Sequence, residues 1–127
     1  MVADDPSTRA GSDAAGLGRA GELLRALGAP HRLAIVLHLA EGPRCVHELV
    51  DRLGISQSLA SQHLRVLRTT GLVVGARRGK ETVYSLADDH VAHIARDAVA
   101  HGEEQDRRLA SHRLPSRASA NRNEART

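Results

Sequence analysis

The feature that most constrains this chain is a change of hydrophobic period at Gly71. Before it, apolar residues recur every three to four positions in successive helical segments; after it they alternate; from Asp89 the helical period returns. Between the third and fourth helical segments stand only Gly54, Ile55 and Ser56, room for a tight turn.

Residues 1–13 mix Asp, Ser, Thr, Pro and Gly without apolar periodicity and read as a disordered arm. From Ala14, Leu17, Leu23, Leu24 and Leu27 mark a first helix, closed by Gly28. Pro30 opens a second, with Leu33, Ile35, Val36 and Leu39 inward, ending at Gly42-Pro43. A third runs from about Cys45 to Leu53 with Val46, Leu49 and Val50 inward, and Ser56 suits the N-cap of a fourth reaching Thr69. Leu72-Val73-Val74 and Thr82-Val83-Tyr84-Ser85-Leu86 read as strands joined across the turn Arg77-Arg78-Gly79-Lys80. A last helix from Asp89 to Glu104 carries Val91, Ile94, Ala95, Ala98 and Val99 on one side, and residues 105–127 read as a basic, disordered tail. The expected architecture is mainly α with a β-hairpin wing, a winged helix-turn-helix in one domain over residues 14–104.

Composition narrows the function classes. Tyr84 is the only aromatic residue among 127, which weighs against single-strand nucleic-acid modules that stack bases on aromatic platforms. The lone Cys45 excludes an internal disulfide and any zinc module built on two or more cysteines. No apolar run approaches a membrane span and no signal-peptide core is present, so a cytoplasmic chain without membrane partners is expected. A hydrolase would need an open metal position and a general base in a cleft, for which a chain this small has no insert; an enzyme with an organic substrate is not expected.

The net charge of +3 hides a strong layout. Residues 44–80 are net +5, residues 81–104 net −5 and residues 105–127 net +4. A basic block followed by an acidic, histidine-bearing one suggests polyanion contact and then cation capture. In the fourth helix Leu59, Leu64 and Leu67 can face the core, leaving Gln57, Ser58, Ser61, Gln62, His63, Arg65 and Arg68 outward. Short amides and hydroxyls suit base edges in a major groove, and the arginines suit phosphates. Arg77, Arg78 and Lys80 would reach the flanking backbone or minor groove of double-stranded DNA.

The stretch Leu23–Leu86 resembles the ArsR/SmtB family of metal-responsive repressors. The likeness is carried by Leu27-Gly-Ala-Pro-His-Arg-Leu33, Cys45-Val-His-Glu-Leu49, Ser56-Gln-Ser-Leu-Ala-Ser-Gln-His-Leu-Arg65, Gly71-Leu-Val73 and Gly79…Tyr84-Ser-Leu86, in family order and spacing. The resemblance implies a homodimer, paired through its first and last helices, that binds an inverted-repeat operator and is released by metal.

The last helix carries Asp88-Asp-His90-Val-Ala-His93 and His101-Gly-Glu-Glu104. Eleven residues separate His90 from His101, so both lie on one helical face about 16 Å apart. Ligands of one zinc ion lie within about 4 Å of each other, so one straight helix cannot close this site. Two copies packed antiparallel and crossing near Ala95-Arg96 can, placing Asp88 and His90 of one chain beside His101 and Glu104 of the other. Two carboxylates and two imidazoles suit tetrahedral Zn2+, with Co2+ as a mimic. The family resemblance implies the same four residues, because SmtB-like zinc sensors carry Asp-x-His and His-x-x-Glu/His at this spacing.

His93, one turn beyond His90, is expected to be surface, with a hydrogen bond to a metal-bound residue, or ligation of an ion that wants more than four donors such as nickel, as alternatives. Cys45-Val-His47-Glu48 allows a secondary metal cluster, but residues 1–30 offer no Cys or His to complete it, and Cys45 reads first as a structural thiol. The expected function is a repressor whose apo dimer binds operator DNA and is released by zinc. The alternatives are the same fold sensing nickel, cobalt or redox through Cys45, or a metal-indifferent architectural DNA-binding protein.

Overall fold

The computed structural model describes residues 6–126, with side chains described for residues 13–111. Its elements are α1 (Pro6–Leu27), α2 (Pro30–Glu41), β1 (Arg44–Cys45), α3 (Val46–Leu53), α4 (Gln57–Thr69), β2 (Val73–Arg78), β3 (Glu81–Leu86) and α5 (Asp89–Arg126). They form two units, Met1–Ala95 and Arg96–Thr127, the second consisting of the continuation of α5.

With no Phe or Trp, the core of the first unit is built from short aliphatic side chains. Leu27 of α1, Ile35, Val36 and Leu39 of α2, Leu49 of α3, Leu64 and Leu67 of α4, Leu72 before β2, and Val91 and Ala95 of α5 form one cluster. Each such Leu, Ile or Val contributes roughly 1.5–3 kcal/mol on burial, so the helices hold together through many moderate contacts. The sheet order is β1-β3-β2, all antiparallel, with Val73 opposite Leu86 and Arg78 opposite Glu81.

Local chemistry sets the turn at the heart of the fold. Gly54 takes the left-handed conformation (φ 66°, ψ 33°) and its N–H donates to Val50 O at 2.9 Å, closing α3. Two residues later the Ser56 hydroxyl accepts from Leu59 N at 3.1 Å, satisfying a donor that the first turn of α4 would otherwise leave open. The five helices and the hairpin thus follow the sequence reading, with some shifted limits.

The hairpin turn is shorter than expected. Only Gly79 and Lys80 lie between the strands, with Gly79 at φ 62°, so Arg77 and Arg78 belong to β2 and pair with Thr82 and Glu81. Cys45 pairs with Val83 in β1 and also serves as the N-cap of α3, whose first helical residue is Val46. Ala60 takes the fully buried position in α4, leaving Leu59 half-buried, because the inward stripe is Ala60, Leu64 and Leu67. Leu17, Leu24 and Ile94 are not core residues in the single chain; they are 74%, 58% and 38% exposed.

Helix also extends beyond the expected limits. The arm read as residues 1–13 contains the start of α1 at Pro6, a residue suited to a first helical position; residues 1–5 lie outside the described residues. The tail read as residues 105–127 is α5 as far as Arg126, with residue 127 outside the described residues. From Glu103 to Leu114 there is no Gly or Pro to stop the helix, and Arg108 pairs with Glu104 one turn back at 2.6 Å.

Candidate nucleic-acid interface and metal centre

Burying Ala60, Leu64 and Leu67 turns the opposite face of α4 to solvent. Gln57, Ser58, Ser61, Gln62, Arg65 and Arg68 are all exposed, as their spacing along the helix requires. Arg77, Arg78 and Lys80 are exposed on the hairpin, with Arg77 Nε donating to Gly79 O at 3.1 Å and steadying the turn. Between α4 and the hairpin lies a cleft of about 500 Å3 lined by Ser61, Arg65, Arg68, Thr69 and Tyr84.

His63 departs from the outward set. It is half-buried against α2, its ring 5.5 Å from that of His31 in an edge-on arrangement, and Arg32 Nη1 donates to its Nδ1 across 3.5 Å. Burial, and then the Arg32 and His31 charges, hold the His63 pKa below the ordinary histidine value. The folded chain therefore resists a proton that the unfolded chain accepts. Stability from this site is present above about pH 6.5 and is lost as pH falls through and below that value. Wild type is expected to lose more melting temperature than His63→Gln between pH 7.5 and 5.5; equal losses would contradict the assignment.

The donors on α5 divide between the two units. Asp88 precedes the helix and its Oδ1 accepts from Val91 N at 3.3 Å, so it caps α5; the same oxygen lies 3.4 Å from His90 Nδ1. The structure thus brings Asp88 and His90 together, 55% and 89% exposed respectively. In the second unit His101 and Glu104 are exposed, and Glu104 accepts from Arg108 at 2.6 Å. A surface ion pair of that kind contributes little to stability. All four side chains are open to solvent, and a set of two carboxylates and two imidazoles fits zinc. Within the single chain, among the described residues, no three His, Cys, Asp or Glu side chains gather into a cluster.

The secondary set is arranged as a helix start. Cys45 is buried, and its backbone N–H donates to Glu48 Oε1 at 3.2 Å. Glu48 Oε2 faces Arg44 Nη1 at 3.5 Å. The bond from the Cys45 backbone, followed by the Cys45 side chain and the Arg44 charge, holds the Glu48 carboxyl below the usual range. His47 and His93 are exposed and are not drawn into a cluster with these groups. Asp88 as a helix cap and Tyr84 as a cleft wall were not expected; Asp88 one residue before an apolar helical run was a readable signal, whereas Tyr84 had none.

Known proteins are similar to this chain in sequence and fold. Residues 29–74 match the model of the bacterial regulatory protein, arsR family. The HTH-type transcriptional repressor SmtB of Mycobacterium tuberculosis is 61% identical over 88 residues, covering 69% of this chain and 65% of that protein. The chain thus spans a little under two thirds of that relative's length. The HTH-type transcriptional regulator NmtR of the same organism is 49% identical over 80 residues, covering 63% of this chain and 67% of NmtR. A homodimeric winged helix-turn-helix DNA-binding domain from Mycobacterium bovis superposes with a TM-score of 0.65 at 31% identity, covering 72% of this chain and 84% of that one. A helix-turn-helix closed by Gly54 and Ser56, a basic hairpin and relatives at this level of identity lead to one conclusion: the chain belongs to the ArsR family.

Proposed function

We propose that this chain is a metal-responsive transcriptional repressor whose metal-free homodimer binds operator DNA through α4 and the hairpin, and which zinc releases. The observation that carries the reading is α5 itself. Asp88 just before it and His90 in its first turn are followed by His101, eleven residues after His90, and by Glu104, all exposed, in a spacing that one helix cannot close around one ion. In this reading Asp88 and His90 of one protomer act with the partner's His101 and the partner's Glu104, and symmetry makes two such sites.

Leu17 and Leu24 on α1 and Ile94 on α5 are exposed in the single chain, and pairing of two copies through the first and last helices would take them out of water. The relatives named a transcriptional repressor and a transcriptional regulator, and the homodimeric structural neighbour, support the same assembly and role here. A bound zinc ion would cross-link the two last helices. The chain's own part is to make that cross-linked arrangement a poor fit to DNA, which requires zinc to bind the DNA-free form about 1–3 kcal/mol more tightly or better.

Cobalt titration of the metal-free protein tests the site directly. One Co2+ per protomer with the intense visible bands of tetrahedral coordination is expected, and weak octahedral bands or no uptake would contradict it.

A further inference from the structure

Tyr84, the one aromatic residue of the chain, stands outside the set of residues that sequence chemistry assigns to DNA. We infer that the cleft between α4 and the hairpin, walled by Tyr84, seats a phosphate of the DNA backbone, held by Arg65, Arg68 and the Tyr84 phenol. This rests on the DNA-binding reading and deepens it by naming a contact and a residue.

Three observations carry it. Arg65 and Arg68 make no ion pair among the described residues, whereas Arg44, Arg52 and Arg108 are each matched to a glutamate. Two unpaired guanidiniums at one cleft are a site for an anion. The residues lining this cleft include no carboxylate, while the other two described clefts contain Glu22 or Glu81, which would repel a phosphate. Tyr84 is also held in place: it sits directly opposite Gly75, and a Cβ there would come within 3.3 Å of its ring, a tight contact that would push the ring from its seat by a few tenths of an ångström. On its other side it packs against the aliphatic core. A positioned phenol donates a hydrogen bond at little entropic cost. Thr69 cannot serve in its place, because its hydroxyl donates to Arg65 O at 2.8 Å.

A phosphate could come from DNA or from solution, and the test separates the two. Affinity of the full chain is measured by anisotropy on the duplex upstream of its own gene and on a random duplex, for wild type and Tyr84→Phe, across several salt concentrations. Unchanged thermal unfolding confirms that the phenylalanine ring keeps the packing. Tyr84→Phe is expected to weaken both duplexes by about tenfold or more, with the salt slope unchanged, because it removes a neutral donor to a charged acceptor. Wild-type binding matched by Tyr84→Phe within about twofold would overturn the cleft and leave the DNA reading standing. Absence of wild-type binding to any duplex would overturn both. Because Tyr84 is the only Tyr and there is no Trp, its emission reports on the cleft alone. Inorganic phosphate, matched in ionic strength to chloride, is expected to leave that emission unchanged; a saturable change would overturn the assignment to DNA in favour of a free anion.

Discussion

Neither His90→Ala nor His101→Ala is expected to retain a tight zinc site, yet an exchanged mixture of the two chains should regain about one quarter of the wild-type capacity. Random re-pairing makes about half of the dimers mixed, and in each mixed dimer one of two symmetric sites regains a full ligand set. The intact site takes Asp88 and His90 from the His101→Ala chain and His101 and Glu104 from the other. A site contained within one chain would give no recovery at all, since every chain in the mixture lacks one imidazole. The spacing along α5 therefore leads to a result that is qualitatively different for the two geometries. Competition against a chromophoric chelator, before and after mixing under mild denaturant and refolding, measures it. Zero recovery would place the metal elsewhere.

The second large effect concerns phosphate contacts. Replacing Arg65 and Arg68 together by alanine removes four cations from the DNA face of a dimer. Each neutralised phosphate contributes about −0.9 to the slope of log K against log salt, and one phosphate in each cleft makes two per dimer, so the slope should shrink by about 2 and affinity at low salt should fall by a hundredfold or more. The loss should be the same on specific and random duplexes, because neither arginine is asked to read a base. Stability should hardly move, since both side chains are exposed and neither is in an ion pair among the described residues. A loss confined to the specific duplex would instead place Arg65 or Arg68 on a base edge.

Much of this was legible in the residues, for local reasons. Gly54 and Ser56 set the ends of α3 and α4 by their own backbone and hydroxyl chemistry, and the switch from helical to alternating periodicity marked the hairpin. What was not legible depended on contacts distant in sequence. His63 sits at an outward position of α4 by periodicity, yet α2 brings His31 and Arg32 beside it, thirty-two and thirty-one residues away. β1 is two residues long and exists only because β3 offers an edge to pair with, so Cys45 read as helix. Tyr84 lines the cleft beside α4 and lies opposite Gly75, a relation set by hairpin register. The turn length in turn followed from Gly79 reaching positive φ, which let two residues suffice and moved Arg77 and Arg78 onto a strand. In α5 spacing singles out Asp88, His90, His101 and Glu104 as candidate ligands, and of these the structure shows Asp88 and His90 in proximity.

The release of DNA by zinc is the central claim, and it is measured most directly by anisotropy of a labelled duplex from the region upstream of the chain's own gene. Metal-free protein is titrated first, and the titration is repeated with one zinc per protomer at the same salt concentration, because phosphate contacts make affinity salt-dependent. Tight binding that weakens at least tenfold with zinc is the expected result, corresponding to a coupling of about 1.4 kcal/mol or more. Tight binding that zinc leaves unchanged would contradict it, and would remove Asp88, His90, His101 and Glu104 from any regulatory role for that metal.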